Sequence, residues 1–375
     1  MAFFSLKNFF KVFFFVAGIG GLIYYVVVKI QYQQNIMSFE DYNPTSTLVV
    51  PEKRIKKAKY PFIDIHNHQF DMPVNDLTEL TAEMDSLNMA FMINLSGFRG
   101  LYLQQCLKNV KESAPNRFGL FVNLDWEQID SPDFVENNLR ILRDAKADGA
   151  MGLKVYKGLG LTDVDSQGNR IAVDDARLDP IWEECGRLGF PVLIHSAEPA
   201  SFWKPKDKYN ERWLELKQKP NRYRDPEKVP SFESILAEQH HVFEKHPTTT
   251  FINAHLGWMG NDLDRLGAHL DRYPNVLTEI GAVLAELGRQ PRRAHRFMVD
   301  YQDRVLFGKD AYNVSEYYTY FRVLETDDEY FDYYRKRHAF WKMYGLALPD
   351  SVLKKVYYKN ALRILPQVDS SLFPN

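Results

Sequence analysis

Two cysteines in 375 residues, Cys106 and Cys185, leave no disulfide framework and no CxxC motif for metal or redox chemistry. Both fall in helix-like stretches and read as small core residues. So few cysteines fit an oxidising compartment without requiring one. A net charge of −2 lacks the basic excess of a nucleic-acid-binding domain. The chain has no Gly-x-Ser-x-Gly elbow, which weighs against a serine hydrolase. Gly308-Lys309 is followed by Asp310, not Ser or Thr, so there is no P-loop. No Gly-x-Gly-x-x-Gly turn follows the first strand-like run, and internal repeats and low-complexity tracts are absent. What remains is ordinary: 45% hydrophobic and 26% charged residues, with length for one large α/β domain or two smaller ones.

Long uncharged runs are also scarce, with one exception. Val12 to Val28 carries no charge and lies between Lys11 and Lys29. With its apolar flanks it approaches the ~20 residues needed to span a bilayer. Lys7 and Lys11 precede it, and no small-residue cleavage signal follows. Residues 1–30 therefore read as an uncleaved membrane anchor, with a cleaved signal peptide as the rival. The positive-inside bias puts the body on the non-cytoplasmic side. Residues 31–59 are polar, contain Pro44 and Pro51, and read as a tether.

From residue 60 to 366 a rhythm appears. Apolar strand-like runs at 61–67, 89–95, 117–124, 150–156, 191–196, 249–255, 275–281 and 304–309 alternate with helix-like stretches. The latter fall at 74–88, 100–113, 132–148, 177–189, 231–246, 261–272 and 290–301, and helical patterns near 327–344 and 350–365 close the chain. Eight strands, each followed by a helix, predict a (β/α)8 TIM barrel of α/β class. The strands are continuously apolar, as parallel strands buried on both faces should be. An open doubly wound sheet is the alternative. Residues 197–230 interrupt the rhythm after the fifth strand with an aromatic-rich insertion, placed by the barrel on its catalytic face. From Glu198 to Lys228 it holds nine Lys or Arg and six Asp or Glu, a net of +3. That excess suits an anionic substrate and equally a solvated loop.

The chemistry sits at the strand ends. Phe62-Ile63-Asp64-Ile65-His66-Asn67-His68 reads as a buried strand ending in His-x-His, and alternation puts both imidazoles on one face. One buried histidine is more often structural than a ligand. Here His195, His255 and Asp310 each end a further apolar strand, and barrel closure would bring all five to one mouth. Histidines with a carboxylate predict a nitrogen/oxygen site for a divalent ion, Zn²⁺ first, with Mn²⁺, Fe²⁺ or Co²⁺ also suited. Such an ion lowers the pKa of a water towards ~7. Asp310 can bind metal and take the proton, and His255 is the second acid/base.

Glu279, on strand seven, is either an acceptor orienting a ligand histidine or a partner for a helix lysine. Glu198 reads as a pocket residue. Trp258 is either an apolar pocket wall or loop packing. Asp64 reads as buried and paired. His240, His241, His246, His269, His295 and His338 fall on helical patterns and read as surface or helix-end residues.

Taken together, Ile63–His68, Gly152-Leu153-Lys154-Val155-Tyr156, Val192–His195, Asn253-Ala254-His255-Leu256-Gly257 and Leu306–Asp310 resemble, in order, the amidohydrolase superfamily and its amidohydrolase-related branch. The resemblance implies a metal-dependent barrel that hydrolyses amide, ester or lactone bonds of a small substrate. The alternatives it leaves are a decarboxylase or hydratase of the same fold and an inactive barrel that binds ligands. It assigns His66, His68, His195 and Asp310 to metal and His255 to base chemistry. Lys154 falls where two-metal members carry a bridging carboxylated lysine, with His255 then a ligand as well. In a one-metal site Lys154 would contact a substrate carboxylate, or simply reach solvent; one metal is the expectation. Oligomeric state is not legible.

Overall fold

The computed structural model describes residues 6–34, 36–38, 41–335 and 338–374. The chain divides into two compact units, Met1–Leu48 and Val49–Asn375. The first is dominated by α1 (Leu6–Gln34). Within it Phe10–Gln33 is long and apolar enough to cross a membrane, a property that signal sequences share.

The second unit runs β1 (Phe62–Asn67), α2 (Thr78–Leu87), β2 (Met89–Asn94), α3 (Gly100–Ser113), β3 (Phe118–Asn123), α4 (Phe134–Asp148), β4 (Gly152–Val155), α5 (Asp179–Leu188) and β5 (Val192–Ile194). The insertion follows, with α6 (Trp213–Gln218) inside it. Then come α7 (Phe232–Lys245), β6 (Phe251–Asn253), α8 (Leu263–Arg272), β7 (Val276–Glu279), α9 (Leu284–Gly288), α10 (Pro291–Asp300), β8 (Val305–Leu306) and α11 (Val314–Glu325). The eight strands pair in chain order, each parallel to its neighbour. Every residue of these eight strands except Ala90 is buried, which is why the runs are mostly apolar rather than alternating.

Eight parallel strands thus form a nearly closed barrel. The seam between β1 and β8 is irregular. Ile65 N–H donates to Phe307 O (3.0 Å), and Asp310 N–H donates to His66 O (2.7 Å). Asp64 reinforces the seam, its Oδ1 accepting from the backbone N–H of both His66 and Lys309 at 3.1 Å. Its Oδ2 accepts from Tyr317 Oη (2.6 Å) and Asn67 Nδ2 (2.8 Å). Below the seam Phe62 packs against Phe307, Phe321 and Tyr357 at ring distances of 4.7–5.9 Å. A π-helical turn at Lys355–Lys359 joins α12 (Asp350–Lys354) to α13 (Asn360–Ile364). It offers the Val356 carbonyl to Phe307 N–H at 3.0 Å, giving β8 a partner the sheet does not supply.

Two expectations fail. The described residues of 327–344 form no helix: β9 (Phe331–Asp332) pairs antiparallel with β10 (Lys342–Met343). Phe331 and Tyr333 are buried while Asp332 between them is exposed. That is the period-two alternation of a strand, in an aromatic segment suited to one. The helix that does follow β8 is α11, which begins where Asn313 Oδ1 caps Ser315 N. Second, His338 is neither on a helix nor at the surface but buried in the link between β9 and β10. His246 and His269 do sit at the ends of α7 and α8, although both are buried.

The rings of His269 and His240 meet at 4.3 Å, tilted by 39°, between α7 and α8. Neither ring nitrogen of His269, nor Nε2 of His240, has a partner. Burial lowers both, His240 to about 4 and His269 to about 3. A folded-state pKa below the ordinary ~6.5 means that the unfolded chain binds more protons as pH falls. Stability is therefore expected to hold above pH ~6.5 and to decline progressively towards pH 3–4. Urea midpoints measured across pH 7.5 to 4.5 test this. The double variant His240→Phe, His269→Phe should show a shallower decline, and an identical pH slope would refute the assignment.

Candidate active site

His66, His68, Lys154, His195, His255, Glu279 and Asp310 all lie at or just beyond the C-terminal ends of their strands, so ring closure brings them to one mouth. His66 Nε2 lies 3.4 Å from Asp310 Oδ1, and His68 Nε2 lies 3.8 Å from the same oxygen. Two donors of a tetrahedral ion at ~2.1 Å stand ~3.4 Å apart, so the first pair already has ligand spacing. Ligand atoms of His66, His255 and Asp310 all fall within 4.8 Å of one another. His195 joins through His255, with Nδ1 3.3 Å from His255 Nε2. This group contains His255, a candidate ligand by strand position to which the family resemblance gives base chemistry in a one-metal site.

Each imidazole is oriented from behind. His66 Nδ1 faces Glu279 Oε1 at 3.0 Å, and His68 Nδ1 faces Ser96 Oγ at 2.8 Å. His255 Nδ1 donates to the Gly281 carbonyl at 2.8 Å. Its Nε2 is then a lone pair, so His195 Nδ1 carries the proton between them and His195 Nε2 is left bare. His66 Nε2 and His195 Nε2 are indeed buried without a hydrogen-bond partner. Buried polar atoms rarely stay unsatisfied. A bare His66 Nε2 beside the Asp310 carboxylate, with nitrogens of His68 and His255 near the same group, is what a divalent cation satisfies, and the donor set fits one.

The charges agree. Burial pushes His66 and His195 well below the ordinary imidazole range and His68 to about 4. All three are neutral near pH 7, as ligands must be. Burial alone would raise the Asp310 carboxyl, but His66, His255, His68 and Lys154 outweigh it and hold the group at about 2. Lys154, 1% exposed, is lowered to about 8 by burial, partly offset by Asp310 and Glu279. Its Nζ has no hydrogen-bond partner and sits 5.5 Å from the Tyr156 ring.

Glu279 does more than orient one histidine. Oε1 also accepts from His255 N–H (2.6 Å), and Oε2 accepts from Gly281 N–H. A Cβ at Gly308 would collide with this carboxylate, which is the packing reason for glycine before Lys309. Backbone strain concentrates at the mouth: His255, Leu256, Gly257 and Trp258 form a left-handed turn with φ 54–58°, and Asp310 has φ 77°. For Leu and Trp this conformation is costly, and such strain collects at functional sites.

Trp258 packs on His255 (4.7 Å) and His195 (5.6 Å), and on its other side lines a cavity of about 230 Å³ with Ser201, Lys204, Arg212 and Glu286. Glu198 does not present a free carboxylate, because Lys157 (2.5 Å) and Arg224 (3.0 Å) bind it. Four of the insertion's nine cations, Arg212, Arg222, Arg224 and Lys228, are held in ion pairs. Arg212 pairs with Glu215 and Glu286, Arg222 with Glu215, and Lys228 with Asp225. Sequence reasoning missed Ser96 and the Tyr156 hydroxyl, which lies 3.2 Å from Ser96 Oγ. Ser96 lies just past the end of β2, and that position is its one readable signal.

The family model described as Amidohydrolase (Amidohydro_2) matches residues 54–367. Among solved structures, the fold is similar to that of an uncharacterised TIM-barrel protein from Bordetella bronchiseptica, at 15% identity and TM-score 0.50, covering 82% of this chain and 99% of that one. A 2,6-dihydroxybenzoate decarboxylase from Rhizobium matches at 14% identity and TM-score 0.50, over 82% and 99%. A dihydroxybenzoic acid decarboxylase from Polaromonas sp. JS666, with bound manganese and 2-nitroresorcinol, matches at 12% and 0.50, over 84% and 99%. At such identities the likeness concerns the fold. No curated protein matches the chain.

Proposed function

Because this chain belongs to the amidohydrolase family, we propose that it is a metal-dependent hydrolase cleaving an amide, ester or lactone bond of a small substrate. The observation that carries this reading is the buried, unpartnered His66 Nε2 beside the Asp310 carboxylate, with nitrogens of His68 and His255 close to the same group. We assign His66, His68, His195 and Asp310 to one divalent ion, Zn²⁺ by donor preference, with Mn²⁺, Fe²⁺ or Co²⁺ also suited. Such an ion supplies Lewis acidity and lowers the pKa of water towards ~7. Asp310, ionised and pointing into the mouth, accepts the proton of the attacking water. His255, its Nδ1 committed to the Gly281 carbonyl, has Nε2 as its one basic atom and relays protons through it. Lys154 forms no ion pair among the described residues and supplies the positive charge that meets developing oxyanion or substrate carboxylate. Trp258 walls off water.

Metal analysis of the purified full chain should find about one ion per chain, or about two if Lys154 is carboxylated. No bound metal, and no activity on amides, esters and lactones after adding Zn²⁺ or Mn²⁺, would sink the reading. Release of CO₂ from aromatic or enoic acids, with the hydrolytic panel silent, would transfer the same residues to a decarboxylase.

A further inference from the structure

Exposed large apolar side chains are few on the barrel unit, and half of those among its described residues come from two segments, one after β1 and one running from the end of β2 into α3. They are Phe70 (56% exposed) and Val74 (83%) after β1, and Phe98 (37%) and Leu101 (78%) after β2. The loops form one surface. Phe70 meets Phe98 at 6.4 Å, Phe98 meets Tyr102 edge-on at 4.7 Å, and Tyr102 Oη donates to Phe70 O. Asn109 of α3 ties the first loop down through Met72 O (2.6 Å) and Asn75 O (2.9 Å).

Phe98 is the unusual member. It is a bulky aromatic residue with φ 50°, an outlier conformation that hydrogen bonds hold in place. Asn123 Oδ1 accepts from Phe98 N–H (2.8 Å), and Phe98 O accepts from Asn123 N–H (2.8 Å). The fold therefore fixes an outward aromatic ring rather than tucking it in. The patch adjoins the mouth: Phe70 stacks on His68 at 5.7 Å with 9° between the rings. A contiguous apolar rim on an otherwise polar surface marks a membrane or protein contact.

We propose that this rim is a lipid-docking surface, seating the barrel's mouth on the bilayer by burying Phe70, Val74, Phe98 and Leu101 among the headgroups. A lipid surface is the occupant this chain itself points to, since it carries a bilayer-length apolar helix. The 19 residues from Gln34 to Lys53 reach at most about 65 Å when extended, so the tether permits the mouth to meet the membrane. Rigid apolar side chains at a surface insert in this way, their affinity scaling with the apolar area buried. The proposal is independent of the reaction catalysed.

The test uses the full chain reconstituted in phosphatidylcholine vesicles. Cys106 and Cys185 are fully buried, so a maleimide fluorophore reports an introduced thiol. Leu101→Cys and Ser113→Cys place labels at the first and last turns of α3, ~18 Å apart. A lipid carrying an acyl-chain nitroxide should quench the label at 101 several-fold more than that at 113. Adding Phe70→Ser and Val74→Ser should abolish the difference. Equal quenching at both positions, or none at 101, would overturn the proposal. So would a blue-shifted, unquenched label at 101 together with disulfide cross-linking of the unlabelled Leu101→Cys chain, which would identify a second copy as the occupant.

Discussion

Asp310→Asn is expected to lower turnover by roughly 10²–10⁴-fold, the usual worth of a positioned acid–base group, with the fold intact. Asparagine is nearly isosteric and is among the residues that best tolerate positive φ, so the φ of 77° at this position survives. The Asp310 N–H to His66 O bond that helps close the barrel is backbone and also survives. What is lost is a carboxylate held at about 2 by the histidines and Lys154 around it. An amide neither takes a proton from water nor offers a negative charge to Lys154 and a bound cation. Circular dichroism should match the parent, with kcat on the responding substrate collapsed and metal content reduced. Full activity in this variant would remove Asp310 from the mechanism.

Glu279→Gln is expected to be as damaging without touching substrate. Glu279 is fully buried and accepts from three donors: His66 Nδ1, His255 N and Gly281 N. A glutamine keeps one accepting oxygen and turns an NH₂ towards a donor. At least one buried N–H then loses its acceptor, at about 1–3 kcal/mol. His66 also loses the carboxylate that fixes its proton on Nδ1 and aims Nε2 at the site. Removing such a partner typically costs 10–100-fold in metal affinity. Competition titration against a chromophoric chelator reads that loss, and a lowered urea midpoint reads the buried defect. Metal affinity equal to the parent's would show that the His66 orientation is held by other means.

These two residues also show how far local pattern carries. Asp310 was legible because Leu306-Phe307-Gly308-Lys309-Asp310 is an apolar strand ending in a carboxylate. Glu279 was only half legible. Strand position put it near the mouth, but a helix lysine was an equal candidate partner until His66, 213 residues away, was placed beside it. The misread stretch 327–344 marks the same boundary. Its aromatic residues suit a helix or a strand, and only the pairing of Phe331 with Met343 decides.

By itself the sequence determined the eight-strand rhythm, the mouth-side histidines, the family and the bilayer-length helix, because each is written in residues close together along the chain. The tertiary structure alone decided which imidazole faces which and that His195 Nε2 and Lys154 Nζ are buried without partners. All of these depend on the ring closing between β1 and β8, and groups that meet only on closure leave no periodicity to read.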